Sequence, residues 1–313
     1  MKVLVTGSSG LVGYALRQVV SKEDPLNQTH SFIYLTSKDG DLTKAEVVES
    51  LFETHRPDVL IHLAANVGGL FKNMHSKAEM LEDNVLMNTL LLKYARRFKV
   101  SRVITLLSTC VFPDRIKPLV ETALHSGPPH PSNEGYAYSK RMMEVHSRIL
   151  SDQFGIRTIC LTPTNIYGPN DNYNLDDAHV IPALIHRCYL AKKHDQLFVV
   201  KGTGKPLRQF IYSRDLATLI YLMIGAHVHQ GHFICSPPSD QEVSIEYVAR
   251  QIAKAMDYEH CLVFDPLFSD GQFRKTVEPN IIFKDCQFTP FEKGIQESIQ
   301  WFLDNVESES IRL

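Results

Sequence analysis

Gly7-Ser8-Ser9-Gly10-Leu11-Val12-Gly13 follows directly on the apolar run Lys2-Val3-Leu4-Val5-Thr6 and leads into a helical pattern. A strand that stops at a glycine turn and passes straight into a helix is the opening unit of a parallel sheet built around a dinucleotide. The first glycine permits the tight turn. The second leaves room for a pyrophosphate against the backbone, and the third lets the helix close on the strand with its amide N–H groups aimed at phosphate. The spacing is Gly-x-x-Gly-x-x-Gly rather than the commoner Gly-x-Gly-x-x-Gly. The competing reading is a glycine-rich turn with no ligand. The strand before it and the helix after it argue for the nucleotide.

The first half of the chain repeats that alternation. Apolar runs begin at Ser31, Asp58, Ser101 and Ile156, and helical patterns fill residues 11–21, 43–54, 76–98 and 136–154. Strands apolar almost throughout are covered on both faces, so the pattern predicts an α/β, Rossmann-type, doubly wound parallel sheet. After about residue 166 the pattern loosens. Helices are predicted near 179–193, 213–225, 243–257 and 290–304, and short strands near 196–200, 207–212, 231–235 and 260–264. The expected division is a dinucleotide-binding domain over 1–165, with 206–236 returning to it, and a smaller α+β substrate-binding domain over 166–205 and 237–313. A cleft between them, beyond the carboxyl ends of the strands, is the expected site.

Composition excludes several classes. The 313 residues are 44% hydrophobic and 22% charged, which suits an ordinary globular chain. Lys plus Arg total 33 against 35 for Asp plus Glu, so there is no global field for nucleic acid or a membrane surface. No apolar run approaches the roughly 18 residues that span a bilayer. The first residues are too briefly apolar for a signal peptide. The six cysteines form no Cys-x-x-Cys pair and read as free thiols in a reducing, cytoplasmic setting. His227, His229 and His232 imitate a metal-binding spacing without a carboxylate or thiol partner. A solvated loop is the plainer reading, and no metal is expected.

The end of the second strand discriminates between cofactors. An acid there accepts the ribose 2′-hydroxyl of NAD and repels a 2′-phosphate. Here Ser37 and Lys38 precede Asp39, which favours NADP, although a solvated loop lysine is the plainer account of Lys38. Asp41 is then placed to face adenine. Ala64 and Ala65 close the third strand with small side chains, as a flat cofactor passing overhead requires.

Tyr136 and Lys140 stand at i and i+4 on a predicted helix, hence on one face. Tyr34/Lys38 and Tyr189/Lys193 share the spacing. The first lies on a strand, where such residues are roughly 13 Å apart, and the second lies in the cap. Only Tyr136/Lys140 falls between the fourth and fifth strands, with Ser108 at the end of the fourth. A neighbouring ammonium and the positive charge of a nicotinamide should lower the phenol from its usual pKa of about 10 and make it a usable acid or base. Cys110 lies two residues past Ser108, on the same side if the segment is extended. For a free cysteine taken alone, a small buried hydrophobe is the commoner role.

The glycine loop, Ala64-Ala65, Ser108 and Tyr136/Lys140 resemble the extended short-chain dehydrogenase/reductase family in order and spacing, over the entire chain. Within it, Ser108-Thr109-Cys110, residues 67–70, the run from Pro128 to Lys140, residues 163–172 and the run from His179 to Ile185 resemble the branch that forms GDP-L-fucose from GDP-4-keto-6-deoxy-D-mannose. The resemblance implies an NADP(H) cofactor held by the glycine loop (Gly7 to Gly13), Ser37, Lys38, Asp41, Ala64, Ala65, Leu106, Leu107, Lys140, Pro163, Thr164, Asn165, Ile166 and His179. It implies Cys110 as base and His179 as acid in epimerising C3 and C5. Ser108 and Tyr136 then stabilise the C4 enolate, and Tyr136 and Lys140 serve reduction at C4. Asn165, Arg187, Lys201, Arg208, Asp270 and Lys275 become candidates for the nucleotide-sugar. Lys201 departs from the pattern, because the branch often carries Trp there and a lysine offers no stacking face. The resemblance also implies a homodimer joined through the helices near 76–98 and 136–154.

The chemistry fits the pairing. A C4 ketone acidifies the protons on C3 and C5, and inversion needs a base on one face and an acid on the other. Thiol and imidazole, at about 8.5 and 6.5, both exchange protons near neutrality. The runners-up are a nucleotide-sugar 4-epimerase or 4,6-dehydratase of the same family, which needs no Cys/His pair, and a non-catalytic NADP-sensing protein, which needs no tuned phenol.

Overall fold

A computed structural model describes residues 1–22, 28, 30–114, 119–268, 270, 273–308 and 311–313. The strands of the first half are β1 (Lys2–Thr6), β2 (Ser31–Tyr34), β3 (Val59–His62), β4 (Arg102–Leu106) and β5 (Arg157–Pro163). After them come β6 (Asn165–Tyr167), β7 (Phe198–Lys201), β8 (Leu207–Arg208), β9 (Phe210–Tyr212), β10 (Gln230–Cys235), β11 (Val243–Ser244), β12 (Leu262–Asp265) and β13 (Arg274–Lys275). The α-helices are α1 (Leu11–Lys22), α2 (Ala45–His55), α3 (Leu70–His75), α4 (Lys77–Arg97), α5 (Glu134–Phe154), α6 (Val180–Lys193), α7 (Ser213–Gly225), α8 (Ile245–Ala255) and α9 (Phe291–Asn305).

The main sheet has the order β10-β5-β4-β3-β1-β2, and every neighbouring pair is parallel. The fold is α/β and doubly wound, as the strand–helix alternation predicts. Every residue of β3 and of β4 is buried, which is what helices on both faces demand. The chain leaves β1 toward β2 on one side and returns to β3 on the other. The ends of β1 and β3 therefore mark the reversal of winding, where an open sheet has its ligand crevice.

One core lies between the sheet and α1 and α7, and a second lies against α2, α4 and α5. A buried arginine fixes α7. Arg102 donates from Nη1 to the carbonyls of Met223 and Ile224 and from Nη2 to that of Ala226, at 2.5 to 2.6 Å. Its charge sits at the negative end of the helix dipole and satisfies carbonyls that would otherwise be orphaned.

The third core joins α6, α8 and α9 to the short strands. The segment predicted as one strand over 207–212 is two. Leu207 and Arg208 pair with β11 and β13, whereas β9 pairs with β6. Gln209 between them is buried and exchanges two hydrogen bonds with the Val277 backbone, at 2.8 and 3.1 Å. That buried carboxamide lets the chain change sheets without orphaned polar groups. The short helix α3 has no counterpart among the elements predicted from the sequence pattern. No described helix is long and apolar enough to cross a membrane.

Candidate active site

The glycine loop turns at Gly7, which holds φ at +67°. A Cβ there would stand 2.6 Å from the Ala64 nitrogen, and one on Gly13 would stand 2.4 Å from the Ser8 Cα. Both positions require glycine for close backbone approach. Gly10 differs. A Cβ on it would meet only the Gly7 carbonyl oxygen, at 3.4 Å, so the loop crest stays open for a diphosphate. Ser8 does not face that space. It is buried, its hydroxyl donates to the Leu35 carbonyl at 2.8 Å, and it accepts from Arg17 at 2.8 Å. Leu11 and Val12 open α1, and Val12 packs inward.

Beyond β2, Thr36 and Asp39 form a capping box. Asp39 accepts from the Thr36 backbone at 2.7 Å and from its hydroxyl at 2.9 Å, which holds its carboxyl below the usual range. The first acid after the strand is thus spent on its own turn, while Ser37 and Lys38 are exposed. Asp41 is exposed and accepts from the Thr43 amide and hydroxyl at 2.9 and 2.7 Å, both through Oδ1. The residues present fit a dinucleotide with a phosphorylated ribose.

One wall of the cleft comes from β4 and α5. Lys140 is buried and donates from Nζ to the Leu106 carbonyl at 2.8 Å, and its ammonium lies 5.5 Å from the centre of the Tyr136 ring. Burial lowers Lys140 to about 8, and nearby thiolates oppose that shift. In the protein alone the lysine does not lower the Tyr136 phenol: burial raises it, and the Cys110 thiolate adds to the rise. Leu107 is buried beneath this wall.

Ser108 caps a 3-10 turn, Thr109–Val111, and its Oγ accepts from the Cys110 amide at 3.4 Å. The segment is therefore not extended as assumed. The turn, rather than strand alternation, puts Cys110 beside Ser108. Burial raises the Cys110 thiol, while Lys275, a hydrogen bond with Ser108, and Lys140 pull the other way.

The remaining predicted site residues come from a loop, a helix and short strands of the second half. His179 is the N-cap of α6 and exposed, yet protein atoms crowding the ring depress its basicity, opposed by Asp177. Asn165 donates to the Gln209 carbonyl at 3.1 Å. Pro163 ends β5, Thr164 is buried with its hydroxyl unpartnered among the described residues, and Ile166 packs on the core. Arg187 is half-buried, and burial lowers it. Arg208 and Lys275 face each other across β8 and β13. Burial lowers both.

Asp270 does not present a free carboxylate, since both its oxygens accept from Thr203 at 2.6 Å. Lys201 is exposed, and its ammonium lies 4.7 Å from the Phe268 ring centre, so an aromatic face stands beside the residue that lacks one. His232 is not in a loop. It sits in β10 with Nε2 2.6 Å from the Thr162 hydroxyl and stacks on Phe112. His227 and His229 are exposed.

Sequence reasoning missed three supports. Arg141 donates from Nε to the Val111 carbonyl at 2.7 Å and so ties the Cys110 turn to α5. Its adjacency to Lys140 was the only available signal. Buried His62 bridges Thr6 and Asn88 at 2.8 and 2.9 Å, and burial, then Lys140, lowers it to about 3. Gln209 carries no sequence signal at all.

Comparison with known proteins agrees with this geometry. The model of the "NAD dependent epimerase/dehydratase family" matches residues 3–235. A GDP-L-fucose synthase of Dictyostelium discoideum is 46% identical over 98% of this chain and 96% of its own length. A probable GDP-L-fucose synthase of Drosophila melanogaster is 41% identical over 97% of this chain and 98% of its own. A crystal structure of a GDP-L-fucose synthetase from Naegleria fowleri bound to NADP superposes with a TM-score of 0.93 at 41% identity, covering 100% of this chain and 95% of that one.

Proposed function

The chain belongs to the NAD dependent epimerase/dehydratase family, and from that premise we propose that it converts GDP-4-keto-6-deoxy-D-mannose to GDP-L-fucose by epimerisation at C3 and C5 and reduction at C4. One observation carries the reading: half-buried Cys110 sits in one cluster with Ser108 and the buried Tyr136 and Lys140. A simple reductase or 4-epimerase has no use for a thiol there.

Bound at the glycine loop, NADPH supplies the hydride for C4. The loop crest at Gly10, with Ser9, Leu11 and Gly13 framing it, holds the diphosphate, and Ser37 and Lys38 hold the 2′-phosphate. Ala64, Ala65, Leu106, Leu107 and the Pro163–Ile166 segment line the path of the rings. Lys140 orients the nicotinamide ribose. At each of C3 and C5 Cys110 takes a proton and His179 gives one on the opposite face, and between the two inversions the thiol releases its proton to solvent while the imidazole regains one. Ser108 and Tyr136 hydrogen-bond the C4 oxygen as enolate charge develops, and Tyr136 protonates that oxygen after reduction. Arg187, Arg208 and Lys275 offer three cations to the diphosphate of the sugar nucleotide. Residues 1–165 with α7 and β10 form the cofactor-binding part, and α6, α8, α9 and their strands form the substrate-binding part.

Burial raises the thiol and lowers the imidazole, so at rest both are neutral. The reactive thiolate–imidazolium pair is then a minority tautomer of the resting pair, related to it by one proton transfer.

A homodimer follows from the same reading. α4 and α5 expose Leu86, Tyr138, Met142 and Ile149 beside an apolar groove, and apolar side chains grouped in this way suit a second copy. Sedimentation of Met142→Asp should show a monomer where the wild type sediments as a dimer.

The direct test is purified protein with NADPH and the keto sugar in deuterated water. NADPH should be consumed stoichiometrically with GDP-L-fucose formed. Cys110→Ser should lose deuterium incorporation at C3 and C5 by about 10²- to 10⁴-fold. Full incorporation in that variant would remove Cys110 from the mechanism.

A further inference from the structure

The loop from Asn170 to Asp177 leads into His179 and is tied to three distant parts of the chain. Asn170 donates from Nδ2 to the Ser9 carbonyl, inside the glycine loop, at 2.9 Å. The Gly69 amide donates to the Asp177 carbonyl at 2.7 Å. The third tie is residues 311–313. The Tyr173 amide donates to the Arg312 carbonyl at 2.8 Å, and Asn174 donates from Nδ2 to the Leu313 carbonyl at 2.9 Å. Asn172 and Arg312 pair as a parallel bridge. Arg312 donates from Nη2 to the Asn170 carbonyl at 2.7 Å. A stack of rings runs alongside. Trp301 of α9 stacks on Tyr173 at 6.0 Å and meets Tyr14 of α1 edge-on at 6.1 Å, and α1 is the helix that the glycine loop opens.

The geometry points to Arg312 as a positioning residue that holds the glycine loop and the His179 loop in one arrangement, so that the cofactor cradle and the proton donor are set together. Asn170 is the hinge of the argument. It holds φ at +64°, a region that asparagine tolerates better than most residues but still at a cost. Its carbonyl is fixed by Arg312 and its side chain by Ser9, so the strained residue is held at both ends. Arg312 also faces Asp171, which is buried with Oδ2 unpartnered among the described residues. Without the guanidinium, the Asn170 carbonyl loses a charged donor and Asp171 loses its counter-charge. The Ser9 carbonyl is then no longer pinned, and the crest at Gly10 loosens.

This inference rests on the glycine loop as the cofactor site and on His179 as acid, and its cofactor half can be tested without any sugar. NADPH affinity is measured by fluorescence titration for Arg312→Gln, Arg312→Lys and Asn170→Gly, the last keeping the backbone conformation while removing the side chain. Arg312→Gln should weaken NADPH by about tenfold, the weight of one charge-assisted hydrogen bond. Asn170→Gly should weaken it comparably. The double variant should be no weaker than either single one, because both break the same path. Arg312→Lys should restore most of the affinity, which a loss of general packing would not allow. Unchanged affinity in Arg312→Gln, or fully additive losses in the double variant, overturns the assignment. If Arg312→Gln does not fold, loss in Asn170→Gly with retention in Arg312→Lys carries the same test. Failure of the Cys110/His179 reading looks different: deuterium exchange would persist in Cys110→Ser while the NADPH effect of Arg312→Gln remained.

Discussion

Ser108, Cys110, Tyr136 and Lys140 hang from the end of one strand and the face of one helix, whereas His179, Arg187, Arg208 and Lys275 come from a loop, a helix and two short strands. The first wall has Tyr136 and Lys140 buried and Ser108 and Cys110 half-buried, and it is anchored on carbonyls of β4 and the turn after it, through Lys140 to Leu106 and Arg141 to Val111. The second is partly exposed and held by loop carboxamides and the residues at 311–313. The wall proposed to carry hydride-transfer chemistry would need sub-ångström placement, and regular elements suit that need. The wall proposed to receive the sugar nucleotide is assembled from separate segments joined by side-chain hydrogen bonds.

The largest break in that comparison should come from the phenol. Tyr136→Phe removes the proton donor for C4 and leaves Cys110 and His179 in place. Reduction should fall by about 10²- to 10⁴-fold, while deuterium exchange at C3 and C5 is kept in part through Ser108. NADPH oxidation followed by absorbance, beside exchange followed by NMR, separates the two. Wild-type reduction in Tyr136→Phe would place the donor elsewhere.

Arg141→Leu tests whether the first wall owes its precision to anchoring. Its loss frees the Val111 carbonyl and the turn that presents Cys110. Exchange should fall by about tenfold, the weight of a charged hydrogen bond, with NADPH affinity unchanged. An equal drop in NADPH affinity would mean that the whole site had shifted.

The two walls should also share a pH profile. Imidazole is lowered by burial and thiol raised by burial, so the exchange rate should form a plateau wider than the interval between their ordinary values of about 6.5 and 8.5. The acid limb belongs to the imidazole and the alkaline limb to the thiol, whichever member of the pair carries the proton in the reactive form. In Cys110→Ser the residual activity should lose the alkaline limb. A profile narrower than the ordinary interval would contradict the desolvation of both groups by the protein atoms around them.

The first wall was legible in the sequence because local rules write it. Strand, glycine turn and helix are contiguous, and Tyr136 and Lys140 meet through helical periodicity alone. Even there, the extended reading of Ser108 to Cys110 reached the right neighbourhood by the wrong geometry, since a 3-10 turn leaves no periodic trace over three residues. In the protein alone burial outweighs the ammonium near the phenol, and burial is a tertiary property that the i, i+4 spacing does not carry. The second wall was legible only through resemblance. The split of 207–212 depends on Gln209 meeting Val277 across 68 positions, and the tie of Arg312 to Asn170 spans 142. No window along the chain contains either pair. His232 falls within the strand predicted near 231–235, but its partner, Thr162, belongs to the neighbouring strand β5 and lies outside any local window.

The smallest effect concerns stability rather than rate, and it isolates the second wall. Asp171 is buried, with one oxygen accepting from the Asn172 amide at 2.7 Å and the other unpartnered among the described residues. Burial raises its carboxyl from 3.8 to about 7, against the pull of that amide and of Arg312. Between those two values the folded protein binds a proton that the unfolded chain releases, so this group makes stability fall as pH rises through the window, and the penalty is complete above about 7. The substitution Asp171→Asn keeps an acceptor for the Asn172 amide on a side chain that cannot ionise. It should therefore raise the melting temperature at pH 8 and change it less at pH 5. An equal change at both pH values would show that the carboxyl titrates alike in the folded and unfolded chain, and the loop wall would then carry no buried charge of its own.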